Sequence, residues 1–232
     1  MQQNRYVCLD TETTGLRVTA GSRMIEIGMV EVIDGKITNR QYQSHLKCNE
    51  KLSDVVKKIS NITDEMLIGK PDFSEIANDV MNFLNKDANG NESKATLVIH
   101  NAKFDLSFLN FQLQESINTD LKDFAVIDTI HLIRNHIPGA KLNLDSVAKR
   151  YDIDLSEREQ GHGALIDSKI LAKVFLALLK DGANPDDVFN QEAKDAIIAK
   201  RSVNLEKRIF TISEQDEASH RDLLAKIGSE VW

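Results

Sequence analysis

Five residues that can do chemistry stand at three separate places in the chain. Asp10 and Glu12 follow the apolar run Val7-Cys8-Leu9, and the stretch stops at Gly15. As a strand, it would turn Asp10 and Glu12 to one face and Thr11 to the other, because strand side chains alternate. Two adjacent carboxylates repel each other and are costly to desolvate, so such a pair commonly holds a cation. The alternative, from this stretch alone, is a polar loop that begins at Asp10.

Two further acids are predicted to face the protein interior. Asp105 shares a helical stripe with Phe108, and Asp167 shares one with Leu171 and Val174. A carboxylate on a buried helix face needs a partner. Both acids stand in a first helical turn, so the alternative is that each caps its helix and complements the helix dipole.

A histidine flanked by two glycines, His162, stands five residues before Asp167. Five residues rotate a helix by about 140°, so the two side chains converge only if His162 lies on the loop before the helix. Its imidazole could then accept a proton at neutral pH, because an unperturbed histidine has a pKa of about 6.5. Taken alone, a histidine on a loop is more often an ordinary surface residue.

The elements that must position these residues follow an α/β pattern. Residues 24–33 alternate and end at Asp34-Gly35, a hairpin signal, before a strand at 37–46. With a strand at 5–10, they predict a three-stranded meander. Further strands are predicted at 96–100 and 124–127, and helices at 73–85, 104–116, 128–135, 142–151 and 164–179. Together these elements predict a mixed sheet with helices on its faces.

Net charge, cysteine spacing and hydropathy argue against several classes of protein. The 232 residues carry a net charge of −7, which argues against a broad basic surface for nucleic acid, so metals or a partner would have to supply much of the attraction. Cys8 and Cys48 have neither zinc-site nor disulfide spacing. No 18-residue apolar window and no secretion signal are present, which predicts a cytoplasmic protein.

Composition also divides the chain into three parts. A domain at 1–180 is followed by a linker with a short helix at 181–202 and a tail at 203–232. The tail has large apolar side chains but is too short for much of a core, which predicts docking onto another protein. The alternative is that it packs back onto the domain. The apolar tail residues are Leu205, Ile209, Phe210, Leu223, Leu224, Ile227 and Trp232.

Three segments together resemble the motifs of the DEDDh 3′–5′ exonucleases. They are Asp10-Thr11-Glu12-Thr13-Thr14-Gly15, His100-Asn101-Ala102-Lys103-Phe104-Asp105 and His162-Gly163-Ala164-Leu165-Ile166-Asp167. The likeness covers 6–179 in order and spacing, extends more weakly into the tail, and is greatest to the epsilon-type proofreading subunits of bacterial DNA polymerase III. It implies a ribonuclease H-like α/β fold, with a mixed β-sheet, helices on both faces and a short C-terminal tail.

The resemblance also implies roles for the site residues. Asp10, Glu12 and Asp167 would hold one divalent ion, and Asp10 would reach a second ion through which Asp105 acts. Oxygen ligands favour Mg²⁺ or Mn²⁺, so two divalent metal ions are the expected cofactors. His162 would take a proton from the water that attacks the terminal phosphodiester.

Six more residues match positions that line the pocket for the terminal nucleotide: Thr13, Gly15, Leu16, His100, Asn101 and Phe104. For Leu16 and Phe104 the alternative is plain core packing. The sequence departs from the pattern at 59–63, where relatives often have a His-Gly pair before Ile-Thr.

The expected activity is that of a metal-dependent 3′–5′ exodeoxyribonuclease, which removes nucleoside 5′-monophosphates from DNA 3′ ends as a proofreading subunit. The expected partners are a single-stranded or mispaired DNA 3′ end, the DNA polymerase III alpha subunit through the tail, a sliding clamp through 184–189 and a small theta-like subunit. Alternatives are an oligoribonuclease- or ribonuclease T-like enzyme acting on RNA, and a non-catalytic polymerase-stabilising subunit. A phosphatase with Asp10 as nucleophile would prefer an aspartate where Glu12 stands.

Overall fold

A computed structural model describes residues 4–188 of the chain, and its strands form one sheet in the order β3-β2-β1-β4-β5. The first three strands are an antiparallel meander, and β4 and β5 run parallel to β1. The predicted mixed sheet is therefore confirmed. The strands are β1 Arg5–Thr13, β2 Met24–Ile33, β3 Lys36–His45, β4 Thr96–Ile99 and β5 Val126–Asp128.

Seven α-helices and two 3-10 turns lie among the described residues. The helices are α1 Asp54–Ser60, α2 Asp64–Leu67, α3 Phe73–Asn85, α4 Ala102–Ile117, α5 Thr129–His136, α6 Leu144–Arg150 and α7 Ala164–Lys180. The 3-10 turns are Val18–Ala20 and Ser156–Gln160. Sequence periodicity predicted α3 to α7. It did not predict α1, which exposes Val55 and Ile59 and buries only Ser60, or α2, which has only four residues. None of the described helices is both long and apolar enough to cross a membrane.

The helices pack on both faces of the sheet, as expected. On one face Val7 and Leu9 of β1 belong to a core that includes α3 and α4. On the other face Cys8 belongs to a core that includes α5, α6 and α7. Because strand side chains alternate, Thr11 falls on the α4 face, whereas Asp10 and Glu12 fall on the α7 face.

The first turn of α7 lies directly on the backbone of β2. A Cβ atom at Gly28 would lie 2.2 Å from the carbonyl carbon of Ala164, so only glycine allows this approach. The hydroxyl of Ser168 donates to the carbonyl oxygen of Gly28 at 2.9 Å. Buried Glu26 accepts from the backbone N–H of Ala164 at 3.0 Å and so caps the start of the helix. These contacts fix the position of α7 on the sheet.

The chain divides by its internal contacts into Met1–Asn190 and Gln191–Trp232. The predicted linker begins at 181, but the side chains of Ala183 and Val188 are buried in the core on the α7 face. Three predictions lie wholly or partly outside the described residues: the short helix of the 181–202 segment, the last residue of the clamp-binding segment 184–189, and the tail at 203–232.

We predict that Gly28→Ala destabilises the protein by about 1–3 kcal/mol, the usual cost of overpacking a filled site. Ser168→Ala, which loses one hydrogen bond but adds no atom, should cost about 1 kcal/mol. Urea unfolding midpoints measure both effects. A Gly28→Ala protein as stable as the wild type would show that α7 can move away from β2 without cost.

Candidate active site

Three carboxylates meet beside the start of α7. Asp10 and Glu12 project from β1 on the face that α7 covers, and Asp167 projects from the first turn of α7. One carboxylate oxygen from each of the three lies within 4.8 Å of the others. Asp10 and Glu12 are half-buried, and Asp167 is buried. The polar loop considered as the alternative is wrong, because both acids belong to β1, and the three carboxylates are close enough together to hold a cation.

The acids strongly perturb one another. Burial raises the pKa of Asp10 well above its ordinary value, and the charges of Asp105, Asp167 and Glu12 raise it further. Burial, together with the charges of Asp167 and Glu26, raises the pKa of Glu12 to about 8. Without a cation these carboxyls therefore keep protons at a pH where isolated carboxyls have lost them.

The fourth acid, Asp105, is buried on the opposite face of β1. Its Oδ1 accepts from the hydroxyl of Thr11 at 2.7 Å, and its side chain is not part of the group of three. Burial raises the pKa of Asp105 to about 7, against the opposing effect of the Thr11 hydrogen bond. The residue faces the interior as predicted, and its charge acts on Asp10. It does not cap α4, since the N-cap of that helix is Asn101.

His162 lies on the glycine-flanked segment before α7, which begins only at Ala164. Its Nδ1 is 3.2 Å from Oδ2 of Asp167, and 43% of its side chain is exposed. The convergence required by the five-residue spacing therefore occurs, because His162 precedes the helix. The imidazole contacts the carboxylate group and is at the same time open to solvent.

Arg158, which the sequence analysis did not predict as a site residue, also contacts this group of carboxylates. Its guanidinium lies 2.5 Å from Oδ2 of Asp167 and forms a second ion pair with Asp145 at the start of α6. The Arg158 side chain is only 10% exposed. It lowers the pKa of Asp10 and Glu12, but burial and the neighbouring acids raise both more strongly.

One buried oxygen in the group is unpaired within the part of the chain that the structure describes. Oδ1 of Asp167 makes no hydrogen bond to any described residue, while Oδ2 of the same carboxylate contacts Arg158 and His162. An unpaired buried oxygen is costly. Carboxylate oxygens are the ligands that Mg²⁺ and Mn²⁺ prefer, so these residues fit a divalent cation.

The residues expected to line a nucleotide pocket lie near the ends of β1 and β4. The Leu16 side chain is 83% exposed, which excludes core packing for that residue. Phe104 is half-buried, and its ring packs against Phe108 at 5.1 Å between centroids, so core packing accounts for part of its surface. Thr13 donates its hydroxyl to the carbonyl oxygen of Gly15 at 2.7 Å, which closes the turn after β1.

The other two expected pocket residues lie at the start of α4. Nδ1 of His100 is 2.9 Å from the hydroxyl oxygen of Thr129, and burial lowers the pKa of His100. Asn101 is exposed and has a left-handed backbone with φ of 69°. It forms the turn between β4 and α4, the helix that carries Asp105.

Two buried acids in supporting positions were missed from the sequence. Glu26 stands opposite Glu12 in the β1–β2 pair and accepts from Ala164. Asp128 accepts from the backbone N–H groups of Asn101, Ala102 and Ile130, and so holds the starts of α4 and α5 together. Both could have been found by the pattern that identified Asp10, which is an acidic residue inside or directly after an apolar strand.

Comparisons with known proteins agree with this geometry. Residues 7–175 match the exonuclease family. The chain is similar to DNA polymerase III subunit epsilon of Rickettsia typhi, with 39% identity over 237 residues and 98% of each chain covered. It is also 36% identical over 246 residues to the subunit of the same name from Escherichia coli strain K12, with 98% of this chain and 97% of the relative covered.

A solved structure supports the fold independently. The nuclease domain of 3′hExo, a DEDDh family member bound to rAMP, superposes with a TM-score of 0.66 at 22% identity, covering 78% of this chain and 94% of that chain. The resemblance drawn from the three motifs is thus confirmed. The chain belongs to the exonuclease family, and its likeness to the epsilon subunits of DNA polymerase III extends over nearly its whole length.

Proposed function

We propose that this exonuclease removes nucleoside 5′-monophosphates from DNA 3′ ends as the proofreading subunit of a replicative DNA polymerase III. The observation that carries the proposal is the group of Asp10, Glu12 and Asp167. Oδ1 of Asp167 is unpaired among the described residues, and a solvent-accessible His162 lies beside the group. The names of its relatives support DNA as the substrate and a polymerase as the partner.

Two divalent cations, Mg²⁺ or Mn²⁺, are proposed as cofactors. Asp10, Glu12 and Asp167 would hold the first ion, and Asp10 would share the second, through which Asp105 acts. When bound, such ions polarise the phosphodiester, lower the pKa of water and stabilise the attacking and leaving oxygens. They would also compensate the repulsion that raises the pKa of Asp10 and Glu12.

His162 is the proposed general base. Its Nδ1 faces Asp167, which leaves Nε2 to accept a proton from the attacking water. The water oxygen then bonds to the terminal phosphorus, and the bond from phosphorus to the 3′ oxygen of the preceding nucleotide breaks. The departing 3′ oxygen takes up a proton from solvent, so the products are a nucleoside 5′-monophosphate and a shortened strand with a 3′-hydroxyl.

The proposed pocket for the terminal nucleotide comprises Thr13, Gly15, Leu16, His100, Asn101 and Phe104. Exposed Leu16 and the open side of Phe104 would contact the base, because apolar and aromatic surfaces bind bases without requiring a particular sequence. That tolerance suits an enzyme that must remove any mispaired nucleotide.

Two other readings are less well supported. An enzyme acting on RNA would use the same acids, but the relatives that the chain matches over nearly its whole length are named for a DNA polymerase. A subunit that only stabilises a polymerase would have no use for a crowded acidic group, whose carboxyls are costly to bury.

Partners beyond DNA are also proposed. The alpha subunit of the polymerase would dock on the tail at 203–232, and a small theta-like subunit could accompany the complex. Residues 184–189 would bind a sliding clamp, which requires that Val188 leave its buried position in the core. The role implies a cytoplasmic location, where bacterial DNA is replicated.

The most direct assay is incubation with a primer whose 3′ end is mispaired. We expect release of nucleoside 5′-monophosphates with Mg²⁺ or Mn²⁺, none with EDTA, and slower release from a paired end. Asp167→Asn should be inactive, whereas Asp152→Asn, which removes the same charge from an exposed side chain, should match the wild type. Undiminished release in EDTA, or none with either metal, would rule out the proposed mechanism.

Replacing the proposed base tests the role of His162. His162→Ala should lower turnover by about 10²–10⁴, the range for a lost general base. Binding of Mn²⁺, measured by the rise in unfolding temperature, should stay close to that of the wild type. His136→Ala, at an ion pair with Asp181 beyond the other end of α7, is the matched control. Equal loss of Mn²⁺ binding would make His162 a metal ligand instead.

The pH dependence of stability tests the crowding of the acids. Because the pKa values of Glu12 and Asp105 are raised to about 8 and about 7, the folded state binds more protons than the unfolded state above pH 4 or so. Stability of the metal-free protein should therefore fall as pH rises from about 5 to 8, and Mn²⁺ should oppose the fall. The midpoint of urea unfolding, measured in EDTA at each pH, gives this fall in stability. An equally steep fall in Glu12→Gln would contradict this explanation.

A further inference from the structure

We propose that Arg158 is a positioning residue, which uses a bridge between Asp145 and Asp167 to hold the segment that carries His162. The inference rests on the proposed function, because it concerns the geometry of the proposed general base. Arg158 belongs to the Ser156–Gln160 turn, directly before the glycine-flanked histidine. Nothing in the catalytic roles assigned above requires an arginine at this place.

The bridge joins three elements of the fold. The Arg158 guanidinium contacts Oδ2 of Asp167 on α7 at 2.5 Å and forms an ion pair with Asp145 in the first turn of α6. A guanidinium is planar, permanently charged and able to donate to two carboxylates at once, which a lysine cannot do with the same geometry. The turn before His162 is therefore fixed to both helices.

The two oxygens of Asp167 are used differently. His162 and Arg158 both contact Oδ2, whereas Oδ1 has no partner among the described residues. Arg158 can therefore orient this carboxylate and the segment before it while leaving the other oxygen available for a cation. An arginine that merely substituted for a missing cation would have no need of Asp145, which lies on α6 outside the group of three carboxylates.

The segment that carries His162 also packs closely against Asn61, which restricts the residue at position 161 to glycine. Gly161 has a φ of 114°, and a Cβ atom there would lie 2.4 Å from Cβ of Asn61. Its backbone N–H donates to the carbonyl oxygen of Arg158 at 2.9 Å. The position of Gly161, next to His162, thus depends directly on where the Arg158 turn is held.

Asp145→Asn is the decisive variant, because it breaks the outer end of the bridge without touching the carboxylate group. The Asp145 side chain is 40% exposed, so the change is easily accommodated. On a single-stranded oligonucleotide with Mn²⁺, we expect kcat to fall about 10- to 100-fold, the cost of a misplaced catalytic group. KM and the Mn²⁺-induced rise in unfolding temperature should change less than about twofold.

Further variants separate positioning from simple charge effects. Asp145→Glu should restore most of kcat, and Asp152→Asn should behave as the wild type. Arg158→Lys, which keeps the charge but not the planar fork, should lose kcat as Asp145→Asn does. The double variant Asp145→Asn with Arg158→Gln should be no slower than Arg158→Gln alone, because Asp145 acts only through Arg158.

Trypsin gives a measurement that is independent of activity. In Asp145→Asn the bond after Arg158 should be cleaved faster than in Asp152→Asn, since the arginine is no longer held. Equal cleavage, an unchanged kcat in Asp145→Asn, or losses that multiply in the double variant would each overturn the proposal. An inactive wild-type protein would instead refute the proposed function, and the trypsin comparison would still decide whether the bridge exists.

Discussion

The close contact between α7 and β2 at Gly28 is the constraint on which the site depends. Because Gly28 has no side chain, the backbone of Ala164 lies against the strand, and Glu26 and Ser168 hold it there by hydrogen bonds. Asp167 then projects toward Asp10 and Glu12 of the neighbouring strand. The chemistry therefore depends on a packing contact that itself carries no reactive group.

The second constraint is electrostatic. A protein with a net charge of −7 and four acids around one strand end would repel a phosphodiester. Cations held by these acids would reverse the local field, and they would relieve the same crowding that raises the pKa of Glu12 to about 8. Arg158 contacts only one oxygen of Asp167, and the other oxygen has no hydrogen-bond partner between residues 4 and 188.

Much of this arrangement could be predicted from local patterns. The period of two placed Asp10 and Glu12 on one face, and helical stripes turned Asp105 and Asp167 inward. Partners distant in the chain could not be predicted. The alternation along β1 predicted that Thr11 faces away from Asp10. It did not predict that the Thr11 hydroxyl donates to Asp105. Arg5 was predicted to begin the first strand, but its buried ion pair with Glu31, 2.7 Å from Nε to Oε1, was not predicted, because it forms only when β1 pairs with β2.

The three carboxylates of Asp10, Glu12 and Asp167 are proposed to bind a divalent cation. Anomalous diffraction from crystals grown with Mn²⁺ tests it most directly, because the signal locates the ion whatever the substrate. We predict an anomalous peak in contact with all three carboxylates, including Oδ1 of Asp167, and none there in crystals of Asp167→Asn. Full occupancy of Mn²⁺ elsewhere, with no peak among these carboxylates, would contradict it.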